Sequence, residues 1–147
     1  VKLVVAAERT VTDSWPIIRK IAFAAVNYGG GEVAIRGPRS GGPTGPVERE
    51  TIEIARAVDA NPVIYIARES DDSRSAIFNR DYELVTGADL VLAFFKEGSD
   101  MGGGTGHVVK AAIDRDIAVE AFSVDEEGEL EFLLADGGWK EHGGECE

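Results

Sequence analysis

Apolar residues along the chain fall into short unbroken runs separated by stretches with helical spacing. Val1 to Ala7, Glu32 to Arg36, Pro62 to Ala67, Leu90 to Phe95 and Ile117 to Val124 have the length and the β-branched or aromatic content of buried strands. Between the first two, Ile17, Ile18, Ile21, Ala22, Ala25 and Tyr28 mark one side of a helix from about Trp15 to Tyr28. Asp13 or Ser14 can cap it, Pro16 sits in its permitted first turn, and Gly29, Gly30 and Gly31 end it. Val47, Thr51, Ile54, Ala55 and Val58 line a second helix from Pro46 to about Ala60. Ile77, Phe78, Tyr82, Leu84 and Val85 mark a third, closed by Gly87, and a fourth runs from about Thr105 to Asp116. Leu130 to Leu134 reads as a sixth, edge strand.

Strands alternating with helices predict an α/β fold, because a right-handed crossover between parallel strands carries its helix over the sheet. The expectation is a Rossmann-like, doubly wound, mainly parallel five- or six-stranded sheet with helices on both faces. One domain covers residues 1–134, and 135–147, glycine-rich and charged, is expected to be a flexible acidic tail that Trp139 could pin to the body. In the usual doubly wound order the first and fourth strands are neighbours where the winding reverses, and ligands bind beyond their carboxyl ends.

The loops that meet there have unusual composition. Leu90 to Phe95 leads into Gly102, Gly103, Gly104, Thr105 and Gly106, a glycine turn opening a helix. Such a turn lets backbone approach a ligand, and the helix start favours an anion through its orphan N–H groups and dipole. Gly37 to Pro46 is rich in glycine, proline, serine and threonine and reads as a lid or ligand loop. Together the loops supply Arg9, Thr10, Arg36 and Arg39 for phosphate, and Glu8 and Asp100 for sugar hydroxyls or a glycosidic carbon. The first-turn glutamates Glu48 and Glu50 suit the helix dipole.

The formal net charge of -12 disfavours nucleic acid and anionic lipid. It is uneven: residues 1–45 carry six Lys or Arg against three acids, whereas 125–147 hold nine acids and one lysine. A small basic region on an acidic chain suits a small anionic ligand. The single Cys146 excludes an internal disulfide, and with only two histidines, His107 and His142, no metal site is expected. No apolar run has the length of a membrane span and no signal-peptide pattern opens the chain, so the expected location is cytoplasmic.

Four places, Ala7-Glu8-Arg9, Gly42-Pro43-Thr44-Gly45-Pro46, Phe78-Asn79-Arg80-Asp81 and Gly102-Gly103-Gly104-Thr105-Gly106-His107, occur in the order of a known motif set. In that order they resemble the SLOG superfamily of Rossmann-like proteins, which includes cytokinin-activating phosphoribohydrolases, "lysine decarboxylase-like" proteins and DNA-processing proteins. The resemblance covers about residues 1–122 and is closest to small stand-alone members. It implies binding of a nucleotide or nucleotide derivative, with Arg9, Gly103, Gly104 and Thr105 as contacts, no required cofactor, and pairing of domains into homo-oligomers. The phosphoribohydrolase pattern also needs a glutamate where this chain has Val108. Valine can neither protonate a leaving base nor attack an anomeric carbon.

Three functions follow. The first is a sensor or sequestering protein that binds a nucleotide, nucleoside or nucleotide-derived molecule. The second is an N-glycosidic hydrolase or transferase with a relocated carboxylate, for which Glu8, Asp100 and Glu48, with His107 as general acid, are the catalytic candidates. The third is a protein-interaction module that engages a basic partner through the acidic C-terminal region.

Overall fold

The computed structural model describes residues 1–27, 31–37, 45–67 and 73–135. Its elements run β1 (Lys2–Ala7), α1 (Trp15–Asn27), β2 (Glu32–Gly37), α2 (Pro46–Ala57), β3 (Asn61–Ile66), α3 (Ser73–Val85), β4 (Leu90–Lys96), α4 (Gly104–Asp114), β5 (Val119–Val124) and β6 (Leu130–Ala135). Expectations for Arg39, for the 38–44 and 68–72 loop segments, for Tyr28 and for the tail beyond Ala135 fall outside the described residues.

The six strands form one sheet in the order β3-β2-β1-β4-β5-β6. All pairs are parallel except β5 with β6, which is antiparallel and carries a register shift at Ala121/Phe122. This is the doubly wound α/β fold that the alternation predicts. β1 and β4 lie side by side, with Leu3 opposite Leu90 and Ala7 opposite Phe94. Both are buried along their apolar length, as their unbroken runs require.

Alternating strand positions divide the core in two. Leu3, Val5, Val33, Ile35, Leu92 and Phe94 face one side, packed under Ile17 and Ile21 of α1 and Val47 and Ile54 of α2. Val4, Ala6, Ala34, Val91, Ala93 and Phe95 face the other, under Leu84 of α3 and Val108 and Val109 of α4. Winding reverses between β1 and β4, so the two helix pairs cover opposite faces.

One expectation needs correction. In α3 only Leu84 and Val85 of the proposed apolar side are buried, whereas Ile77 and Phe78 are exposed and Arg80 and Asp81 are enclosed. Ser14 does more than precede α1: its hydroxyl donates to the Gly128 carbonyl at 2.8 Å, fastening the helix start to the β5–β6 turn. Among the described residues no helix is long and apolar enough to cross a membrane.

Candidate functional site

A cleft of about 800 Å³ opens over the carboxyl ends of β1, β2 and β4, within the size range of small-molecule sites. The β1–α1 loop supplies Glu8, Arg9 and Thr10, the end of β4 Lys96, the β4–α4 loop Gly98 and Ser99, and the start of α4 Gly103, Gly104 and Thr105. Arg36, Ala67, Ile77 and Arg80 complete its wall from the β2, β3 and α3 side.

Glu8 organises the β4–α4 loop. Its own amide donates to the Phe94 carbonyl at 3.1 Å, extending the β1–β4 ladder one residue past the strand. Its carboxylate accepts the Lys96 amide at 2.8 Å and the Ser99 hydroxyl at 2.6 Å. Ser99 Oγ in turn accepts the Met101 amide at 2.9 Å. Gly98 takes a positive φ of 84° in this turn, and Met101 adopts one of 59°, a conformation that costs a non-glycine residue free energy. The loop is therefore fixed by named hydrogen bonds on a central carboxylate.

Behind the loop lies a buried ion pair. Arg36 Nε donates to Glu48 Oε2 at 3.0 Å, and Arg36 Nη2 donates to the Ala7 carbonyl at 2.7 Å and to Thr105 Oγ1. One guanidinium thus ties the ends of β1 and β2 to the first turns of α2 and α4. Glu48 is fully enclosed; burial pushes its carboxyl above the usual range, and the Arg36 charge opposes that rise. Its Oε1 is buried and has no hydrogen-bond partner among the described residues. Glu48 is not a dipole-complementing surface residue, because the side chain turns inward to the enclosed Arg36 guanidinium.

α4 begins at Gly104 with Gly103 as its N-cap in extended conformation, and no side chain caps it. The N–H groups ahead of His107 are the orphan donors of a helix start, and Gly103, Gly104 and Thr105 there line the cleft. The glycines here serve different ends. A Cβ on Gly104 would come within 2.6 Å of Arg36 Nη1, and one on Gly106 within 1.9 Å of the Met101 carbonyl oxygen, whereas Gly103 has nothing within 4 Å. Gly104 admits the guanidinium and Gly106 admits the loop, while Gly103 leaves open space at the helix end.

A second buried group braces the α3 side. Arg80 Nη1 donates to the Gly37 carbonyl at 2.9 Å and its Nε to Asp81 Oδ1 at 2.9 Å. Asp81 Oδ2 accepts from His107 Nδ1 at 2.7 Å, the ring nitrogen being the donor to an ionised carboxylate. Phe78 stacks on the His107 ring with centroids 4.4 Å apart.

These contacts sort the residues that the sequence offers. Arg9, Thr10, Gly103, Gly104, Thr105 and Glu8 come together at the cleft. Arg36 lines it, but its guanidinium is committed to the scaffold. Asp100 turns back on its own loop, accepting the Gly102 amide at 2.9 Å, and neither residue lines the cleft. His107 faces α3, Gly106 is buried, and Glu48 lies behind Arg36. Val108 is in the core, fully enclosed. Lys96 and Ser99 lie in the Lys96–Thr105 loop that strand order places at the crevice but are not singled out by sequence, and Arg80 stands within a quoted motif without being read as a wall residue. Among the described residues no group of three or more His, Cys, Asp or Glu could hold a metal ion.

The positive character of the cleft is local. Arg9, Arg36, Arg80 and Lys96 line it against Glu8 and Glu97, on a chain of net charge -12. Arg9 is exposed and makes no ion pair among the described residues. Comparison with protein-family models, with curated proteins and with solved structures found no match to this chain.

Proposed function

We propose that the protein binds a nucleotide, nucleoside or nucleotide-derived small molecule in this cleft, as a sensor or sequestering protein of the SLOG type. The observation that carries the reading is the N-terminus of α4, which has no side-chain cap at Gly103, at the wall of the cleft that exposed Arg9 also lines. Exposed Arg9 and Lys96 add charge that an anionic group can use. Ala67 and Ile77 give the opposite wall an apolar surface against which a base can lie.

N-glycosidic hydrolysis or transfer is the second reading, and it rests on Glu8, whose carboxylate is fixed by two hydrogen bonds at the cleft wall. A thermal-shift series over nucleosides, nucleotides and ADP-ribose derivatives tests the first reading, since a ligand selective for the folded state raises apparent stability. A stabilising compound whose effect disappears in Arg9→Ala supports it, and no shift across the series contradicts it. Release of free base from the stabilising compound, abolished in Glu8→Gln, would favour the second.

A further inference from the structure

Helix α1 contains no carboxylate and is apolar on its outer side as well as its inner one. Ile17, Ile21, Ala24 and Ala25 are buried against the sheet, whereas Trp15, Phe23 and Val26 are 66%, 70% and 60% exposed. With Ile18, Arg19 and Ala22 they line an open trough of about 620 Å³. On the β6 side of the helix, Phe132 is 53% exposed and packs on Phe122 with centroids 5.1 Å apart. Lys20 Nζ lies 5.1 Å from the centre of the same Phe122 ring. Apolar surface gathered in this way marks a contact site, and no described residue covers it.

The route of the chain brings a candidate occupant to this place. α1 and β6 start together, because the Ser14 hydroxyl donates to the Gly128 carbonyl. They also run the same way, since β6 is antiparallel to β5 and a crossover helix returns against its parallel strands. β6 ends at Ala135, in register with Glu120, and Glu120 is the residue that Lys20 holds at 3.2 Å. Residue 136 therefore starts beside the second half of α1, Ala135 being one strand spacing, about 4.8 Å, from Glu120. Phe23 and Val26 lie ~4.5 Å and ~9 Å further along the helix than Lys20. The four residues from Asp136 to Trp139 can span ~13 Å, and Gly137 and Gly138 among them admit a turn.

We propose that the outer side of α1 is the receptor for segment 136–147 of the same chain, with Trp139 seated on Phe23 and Val26. Trp139 is the one large apolar residue of that segment, and around it stand Asp136, Glu141, Glu145 and Glu147 against Lys140. On a chain of net charge -12, α1 offers these acids Arg19 and Lys20 with no acid of its own. Asp136 emerges beside Lys20, and Glu141, two residues beyond Trp139, comes within reach of Arg19. An indole buries ~150–250 Å² in such a contact. Tethering supplies an effective concentration on the order of millimolar, so a contact too weak to hold a separate peptide holds this one. The inference is independent of any ligand in the cleft.

Trp15 and Trp139 are the only two tryptophans, so the full chain carrying Trp15→Phe, which keeps an aromatic ring in the trough, reports on Trp139 alone. Its emission is expected to be blue-shifted and shielded from acrylamide relative to the same chain in urea, equally at every protein concentration. Phe23→Glu and Val26→Glu, at solvent-facing positions, should keep the folded circular dichroism spectrum and lower the docked-to-free ratio ~10-fold or more, as loss of a contact centre does. In the wild-type chain the Trp139 indole N–H, assigned by its loss in Trp139→Phe, should show nuclear Overhauser contacts to the Phe23 ring. A Trp139 as exposed in the native chain as in urea, with no such contacts in the wild type, overturns the proposal. Shielding that both glutamate substitutions leave intact overturns it too, as does shielding that vanishes on dilution, which would come from another molecule.

Discussion

Gly103 stands where two demands conflict. It is the N-cap of α4, with backbone angles of φ -90° and ψ -156° that any residue adopts, and a Cβ there meets nothing within 4 Å. Gly103→Asp therefore adds a side-chain cap without a clash. Aspartate over glycine at an N-cap is worth a few tenths of a kcal/mol, and its charge at the positive helix end ~0.3–1 kcal/mol more. The sum, about 1 kcal/mol, raises Tm by ~2–4 °C in a domain of this size. The same carboxylate occupies the place assigned to the anion of the ligand, and repulsion there should lower affinity for a nucleoside monophosphate on the order of 100-fold, ~2.7 kcal/mol. Gly103→Asn caps without a charge and should gain stability while losing less affinity. Urea denaturation at unchanged m-value and calorimetric titration of the nucleotide read the two effects separately. A Gly103→Asp protein that binds nucleotide as tightly as wild type would refute the anion site, and one that is destabilised would refute the open cap.

Gly106→Ala should act in the opposite sense, because its Cβ would lie 1.9 Å from the Met101 carbonyl oxygen. Overpacking of ~1–3 kcal/mol exceeds the gain of ~1 kcal/mol in helix propensity, so the denaturation midpoint falls. Arg36→Met should cost ~3 kcal/mol by removing the cation beside the enclosed Glu48 carboxylate, and Glu48→Met should cost less, because Arg36 keeps its bonds to the Ala7 carbonyl and to Thr105. Together they should cost less than their sum, which a double-mutant cycle in urea measures. His107→Ala should leave nucleotide affinity within about twofold, ~0.4 kcal/mol, in calorimetric titration, since the ring bonds Asp81 on the α3 side. Tyr65 is pushed up to about 12 by burial and by its hydrogen bond to Glu32. Its raised value in the folded state means that its contribution to stability is full below the ordinary tyrosine range near 10 and is lost as pH climbs towards 12. Ultraviolet titration of phenolate should show a late-ionising tyrosine that Tyr65→Phe removes.

Much of the scaffold is legible in the chain because its signals are local. The runs at Lys2–Ala7 and Leu90–Phe95 are apolar at successive positions, which only a strand buried on both faces needs. Pro46 at the start of α2 and the glycines before α4 likewise mark boundaries by backbone chemistry alone. The cleft followed from strand order, since the β1 and β4 loops must meet wherever winding reverses. What was not legible depends on partners far apart in sequence. Glu48 reads as a helix-start acid until Arg36, on another element, draws it inward. Arg80 and Asp81 interrupt the apolar side of α3 because a strand-end carbonyl at Gly37 and a histidine on α4 satisfy them. Asp100 and Glu8 look equivalent as loop acids, yet one closes its own turn and the other anchors the neighbouring loop. Periodicity chose the side of α1 that packs inward, with Ile17, Ile21 and Ala25, but did not mark Trp15, Phe23 and Val26, exposed on the opposite side.

The central claim, an anion-binding cleft between the β1 and β4 loops, is tested most directly by amide chemical-shift mapping on the ¹⁵N-labelled chain during titration with nucleoside monophosphates. The account predicts saturable shifts concentrated at Arg9, Thr10, Gly103, Gly104 and Thr105, with α1 and β6 unmoved, and their loss in Gly103→Asp. Saturable shifts confined to another surface, or none at millimolar nucleotide, would contradict it.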